Sequence, residues 1–86
     1  MSSLWSEEAG DADHPLVVVI HGSMDRSAGM LKLSRRLDGD FRVLRYDRRG
    51  YGRSFPHPGP FDMGAQVTDL VGLLAGRKAV LVGHSY

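Results

Sequence analysis

An α/β fold, a parallel sheet layered between helices as a three-layer sandwich, is predicted by three observations. Short apolar segments rich in β-branched residues recur at residues 16–20, 43–46 and 79–82. The first and third are continuously apolar, as strands covered on both faces by helices are. Helical periodicity fills both gaps, so the order is strand, helix, strand, helix, strand, with right-handed crossovers expected.

Each element has its own local reason. Residues 1–14 are polar and acidic, with Glu7, Glu8, Asp11 and Asp13 and no Lys or Arg. They are expected to be partly disordered, with at most an edge strand near Leu4 and Trp5, and residues 15–86 to form the folded domain. After the first strand, Met30, Leu33 and Leu37 fall at i, i+3 and i+7, which predicts a short amphipathic helix with Asp25 or Ser27 placed to cap it. After the second strand, Val67, Leu70, Val71 and Leu74 mark one face of a second helix, with Asp62 as its cap and Gly76 just past its end. Between them, Phe55-Pro56-His57-Pro58-Gly59-Pro60 removes three backbone donors within five residues and reads as an exposed loop.

Composition narrows the function. The chain has 86 residues, 42% hydrophobic and 24% charged, with a formal net charge of +1. A chain of this length buries roughly 60–65% of the surface its unfolded form exposes, so it makes one small domain at most. The absence of cysteine excludes a disulfide scaffold, a Cys-based zinc site and thiol catalysis within it. The longest apolar run, Leu16 to Ile20, falls far short of the ~20 residues of a membrane span. With an acidic start and no long apolar stretch behind it, the chain is expected to be cytoplasmic. Arg42, Arg45, Arg48, Arg49 and Arg53 read as a solvated loop with local ion pairs, because nucleic-acid binding calls for more net charge and interleaved aromatics. Neither a nucleic acid nor a membrane is expected as a partner.

In an open α/β sheet, ligands bind outside the carboxyl ends of the strands. Those ends carry His21-Gly22-Ser23-Met24, the run from Asp47 to Ser54, and Gly83-His84-Ser85-Tyr86. The last has the form of the first three positions of G-x-S-x-G, in which a serine sits on a strained strand-to-helix turn between small residues. A second G-x-S at Gly52-Arg53-Ser54 is followed by Phe55-Pro56, where the second glycine should stand. Only Ser85 follows a buried strand directly. A dinucleotide fold is disfavoured, because Phe55 replaces the third glycine after Gly50 and Gly52, and the prolines forbid the helix that would meet a pyrophosphate. No G-K-[ST] of a P-loop occurs.

His21-Gly22, then Asp47-x-Arg49-Gly50-x-Gly52-x-Ser54, then Val82-Gly83-His84-Ser85-Tyr86 together resemble the α/β-hydrolase family, over roughly residues 16–86. The resemblance implies that the three segments are the third, fourth and fifth strands of an eight-stranded sheet, the first of them lying between the other two. It implies Ser85 as nucleophile and the N–H of Tyr86 as one oxyanion donor. The second donor would be the N–H of Ser23, with Met24 as the alternative. Each donor is worth about 3 kcal/mol in the transition state. Asp47 is expected to brace its loop rather than react. A serine at this position suits acyl transfer to and from a small-molecule substrate without a cofactor, and argues against haloalkane dehalogenases and epoxide hydrolases, which use Asp there.

The acid and histidine of the family follow the serine in the chain, and here only Tyr86 follows Ser85. None of the four histidines fills that role. His21 opens the oxyanion turn, His84 adjoins the nucleophile, His57 lies in the proline loop and His14 precedes the first strand. The chain is therefore expected to be the amino-terminal part of a serine hydrolase, cut within its elbow and inert by itself. Its last strand is expected to leave an uncovered edge that invites aggregation. The competing readings are a non-catalytic interaction or nucleotide-binding module, and a cofactor-free peroxidase or acyltransferase on the same fold.

Overall fold

A computed structural model describes residues 4–22, 26–55 and 57–83. Four strands, β1 (Ser6–Ala9), β2 (Leu16–Ile20), β3 (Arg42–Tyr46) and β4 (Ala79–Gly83), form one sheet in the order β1-β3-β2-β4. β2 pairs in parallel with both β3 and β4, while β1 runs antiparallel to β3. The first predicted strand thus lies between the other two.

Helices α1 (Leu31–Leu37) and α2 (Met63–Leu74) make the two connections. The chain steps one way across the sheet through α1 and the other way through α2, so a single crossover hand puts the helices on opposite faces. Strand alternation sorts the core accordingly. Val17, Val19 and Val43 face Met30, Leu37 and Phe41 on the α1 side. Leu16, Val18, Leu44 and Tyr46 face Leu70, Leu73 and Leu74 on the α2 side. Val18 and Val19 are wholly buried, each worth about 1.5–3 kcal/mol relative to exposure.

Both helices differ in detail from expectation. A 3-10 turn at Ser27–Met30 precedes α1, and no side chain caps either segment. Ser27 instead donates its N–H to Asp47, and Asp25 lies outside the described residues. Met30 and Leu37 face the sheet, but Leu33 is 36% exposed and Ser34 is buried. The face in contact lies on the Ser34 side of Leu37, three residues back rather than four. In α2, Asp62 Oδ1 accepts the Ala65 N–H at 2.8 Å, as a cap should. The helix ends with Ala75 in the left-handed region and Gly76 at φ +80°. The face packed on the sheet is Leu70, Leu73 and Leu74, all partly buried, rotated from the expected one. Met63, Val67 and Val71 form an exposed stripe at i, i+4 and i+8.

The N-terminal segment contributes β1, just beyond Leu4 and Trp5. On the far edge, Val80 and Leu81 of β4 are 61% and 50% exposed, and no described strand pairs beyond β4. No described helix is long and apolar enough to cross a membrane.

Candidate active site

Ile20 is in register with both Tyr46 and Gly83, so β2, β3 and β4 end level along one edge of the sheet. The chain leaves that common edge at His21 and at Asp47, and Gly83 is the last described residue of β4. Ser23, Met24, His84, Ser85 and Tyr86 lie outside the described residues. Among the described residues nothing lies within 4 Å of a Cβ placed at Gly83, so any demand for glycine there comes from elsewhere.

The turn after β3 is built around Asp47, which is 3% exposed. Its Oδ1 accepts the Ser27 N–H at 2.7 Å and its Oδ2 the Arg53 N–H at 2.9 Å. Its own N–H donates to the Trp5 carbonyl at 3.0 Å, and its carbonyl accepts the Ser54 hydroxyl at 2.6 Å. Hydrogen bonds to a charged group contribute about 1.5–3 kcal/mol each. Asp47 therefore ties three segments together and has both oxygens committed, the bracing expected of it. Gly52 makes room for it, because a Cβ there would come within 2.7 Å of the carboxylate, at φ +47°.

His21 joins the turns after β2 and β3. It is 1% exposed, with Nδ1 2.8 Å from the Gly22 carbonyl and Nε2 3.0 Å from the Arg48 backbone N–H. The Arg48 guanidinium donates to the His21 carbonyl at 3.2 Å and to Gln66 Oε1 at 2.7 Å. Tyr51 sets its ring edge-on to His21, centroids 5.2 Å apart, and lies beneath the Arg48 guanidinium.

Of the arginine group, Arg53 is exposed and Arg42 and Arg49 are partly buried, but two members are not solvated. Arg45 and Arg48 are buried. Arg45 donates to Glu7 at 2.7 Å and to Ser27 Oγ at 3.1 Å, and its Nε has no partner among the described residues. Arg49 grips Asp69 through two parallel bonds of 2.7 Å, anchoring the turn after β3 to α2. Arg45 and Arg53 both lie over the Trp5 ring, at 5.0 and 4.8 Å. The planar guanidiniums thus share one aromatic ring, which a charge count cannot reveal. Burial pushes the Tyr46 hydroxyl above its usual pKa, with Asp69 adding to the rise and Arg48 opposing it.

Open clefts flank this turn, among them the following two. One of about 610 Å³ is lined by Arg26, Gly29, Tyr51 and Phe55. The other, about 340 Å³, is lined by Arg48, Tyr51, Phe55, His57, Phe61 and Gln66. Sequence patterning missed Arg48, Gln66 and Asp69 as parts of the site, because their partners are side chains brought together by the crossover. Gln66 and Asp69 stand three residues apart on α2, a spacing that carried no signal without knowing which face meets the turn. Among the described residues, no group of three His, Asp or Glu gathers to hold a metal.

The comparisons with known proteins agree with this architecture. Residues 17–86 match the model of the "Alpha/beta hydrolase family". The chain is 35% identical over 74 residues to a 2-(acetamidomethylene)succinate hydrolase of Mesorhizobium japonicum, covering 83% of this chain and 27% of that protein. It is 29% identical over 83 residues to Epoxide hydrolase 4 of Mus musculus, covering 91% and 23%. It superposes on the enol-lactonase of Burkholderia xenovorans LB400 with a TM-score of 0.84 and 27% identity, covering 93% of this chain and 33% of that one. The chain thus spans about a quarter of the length of these curated relatives. With a family match over residues 17–86, which takes in the three parallel strands and both helices, the chain belongs to the α/β-hydrolase family.

Proposed function

We propose that this chain supplies the nucleophile and the oxyanion donors of a cytoplasmic serine hydrolase that cleaves a carboxylic ester or related acyl bond of a small molecule. The observation that carries the reading is the common edge, where Ile20, Tyr46 and Gly83 lie in register and Gly83 opens the Gly83-His84-Ser85 elbow. The names of two relatives, an enol-lactonase and a 2-(acetamidomethylene)succinate hydrolase, describe hydrolytic chemistry of this broad kind.

In the proposed mechanism Ser85 Oγ attacks the acyl carbonyl while its proton passes to a general base. The oxyanion is held by the N–H of Tyr86 and of Ser23, with Met24 as the alternative to Ser23. Collapse expels the alcohol, which takes up the proton, and leaves an acyl-enzyme. Water then releases the acid and restores the serine. No cofactor takes part. The base and its orienting acid are not among these 86 residues, so the chain alone is inert.

Labelling with a fluorophosphonate tests this. In the whole hydrolase carrying the segment, modification is expected at Ser85 and is lost in Ser85→Ala. The 86-residue chain should remain unlabelled. A whole protein that hydrolyses activated esters at an undiminished rate after Ser85→Ala would overturn the assignment.

A further inference from the structure

A cleft of about 330 Å³ opens between the N-terminal segment, the 3-10 turn and the turn after β3, a size suited to a small ligand. Its lining joins Trp5, just before β1, to Arg26 and Leu31 on either side of the 3-10 turn, Arg45 on β3, and Asp47 and Arg53 beyond it. Among these lining residues three positive charges face one negative charge. Asp47 has both oxygens committed to backbone N–H groups. Glu7 bonds Arg45 from outside the lining and is half exposed, so one positive charge remains in excess. Arg45 Nε is buried without a partner among the described residues. The Arg53 guanidinium is exposed, lies 4.8 Å over the Trp5 ring and forms no ion pair among the described residues.

Charges of one sign gathered around a cleft with low-dielectric walls focus a field that draws in an anion. A carboxylate presents two oxygens in one plane, which a single guanidinium fork satisfies. Arginines arriving from separate segments suit a phosphate group instead, whose three terminal oxygens point in different directions. Trp5 and Leu31 offer an apolar wall beside them. We propose that this cleft binds a small phosphate monoester, its phosphate toward Arg53 and Arg26 and its organic part against Trp5, with Arg45 adding positive charge from β3.

Phenyl phosphate, benzoate and benzyl alcohol, titrated into the whole hydrolase carrying this segment and followed by the Trp5 indole N–H resonance, test this. Phenyl phosphate should shift that resonance saturably. Benzoate and benzyl alcohol should bind about tenfold more weakly or worse, lacking the third oxygen or the charge. Arg53→Gln should weaken phenyl phosphate binding by about tenfold or more, the loss of one charge-assisted bond. That variant keeps the backbone N–H that holds Asp47, so the turn is retained. Arg35→Gln, exposed on α1 and outside the cleft, should leave affinity within about twofold, because solvent and salt screen it. Equal affinity in wild type and Arg53→Gln overturns the inference, as does benzoate or benzyl alcohol binding as tightly as the phosphate. A Trp5 resonance unmoved by millimolar phenyl phosphate overturns it too. None of these outcomes depends on Ser85, so the site stands or falls apart from the hydrolase reading.

Discussion

Ser27 and Asp47, twenty positions apart, meet through a backbone N–H that donates to a buried carboxylate oxygen at 2.7 Å. This bond closes the start of the α1 segment onto the turn after β3. Asp47→Ala would leave the N–H groups of both Ser27 and Arg53 without their acceptor. The expected cost is about 3 kcal/mol, from about 1–3 kcal/mol for each unsatisfied donor, read as a lower urea midpoint in the whole hydrolase. An unchanged midpoint would show that the brace is dispensable.

Gly52→Ala should destabilise the same turn without removing any hydrogen-bonding group. Its new Cβ would stand 2.7 Å from the Asp47 carboxylate on a backbone at φ +47°. A loss of roughly 1–3 kcal/mol is expected from overpacking. Gly39, around which the described residues leave open space, is the control, and Gly39→Ala should change thermal stability far less.

Arg49 and Asp69 form a two-bond pair with 12% and 14% side-chain exposure. Asp69→Ala should cost more than replacing both residues together by apolar ones, because the single change strands a guanidinium away from water. A double-mutant cycle on unfolding free energy measures this. Equal effects of the single and double changes would show that the pair acts as a solvated one.

Glu8 accepts from Arg77 at 2.8 and 3.0 Å and from Arg42 at 3.1 Å. The Arg77 hydrogen bonds hold its pKa below the ordinary value of 4.5, with Arg42 adding to the effect and burial opposing it. A carboxylate depressed in the folded state contributes stability that is present above the unfolded pKa and lost as pH falls through the folded one. The stability difference between wild type and Glu8→Gln should therefore be full near pH 6 and shrink below about pH 4. Partly exposed pairs of this kind contribute about 0.2–1 kcal/mol and weaken in salt. Thermal midpoints of both proteins across pH 3–7 provide the check.

The isolated 86-residue chain is expected to self-associate through β4. Val80 and Leu81 are exposed there, on a strand with no described neighbour beyond it, and unpaired apolar edges recruit other chains. Sedimentation should show oligomers that diminish in Leu81→Lys. Cooperative unfolding of a monodisperse monomer would contradict this.

The strand and helix order was legible in the sequence because burial on both faces leaves continuous apolar runs such as Val17-Val18-Val19, and a capped amphipathic helix announces itself at Asp62. That the residues after the strands, from His21, Asp47 and Gly83, would matter was legible too, since ligands of open α/β sheets bind at the carboxyl ends, but the register that sets those ends level came from the structure. The rotation of each helix was not legible. Leu33 against Ser34, and Val67 and Val71 against Leu73, depend on which side meets the sheet, and neighbouring positions on a helix differ by only about 100°. Arg45 and Arg48 were misread as solvated for a related reason. A charge appears in composition, but its burial depends on Glu7, Gln66 and Asp69 arriving from other elements.

By itself, then, the sequence determined the layer order, the small-residue turns and the position of Ser85 after an apolar strand, all of them local patterns of hydrophobicity and backbone freedom. Only the tertiary structure decided that His21 bonds to both Gly22 and Arg48, that Asp47 reaches Ser27, and that Arg49 holds α2 through Asp69. Those contacts join residues up to twenty-seven positions apart, and no local preference encodes a partner that the crossover connections bring into place.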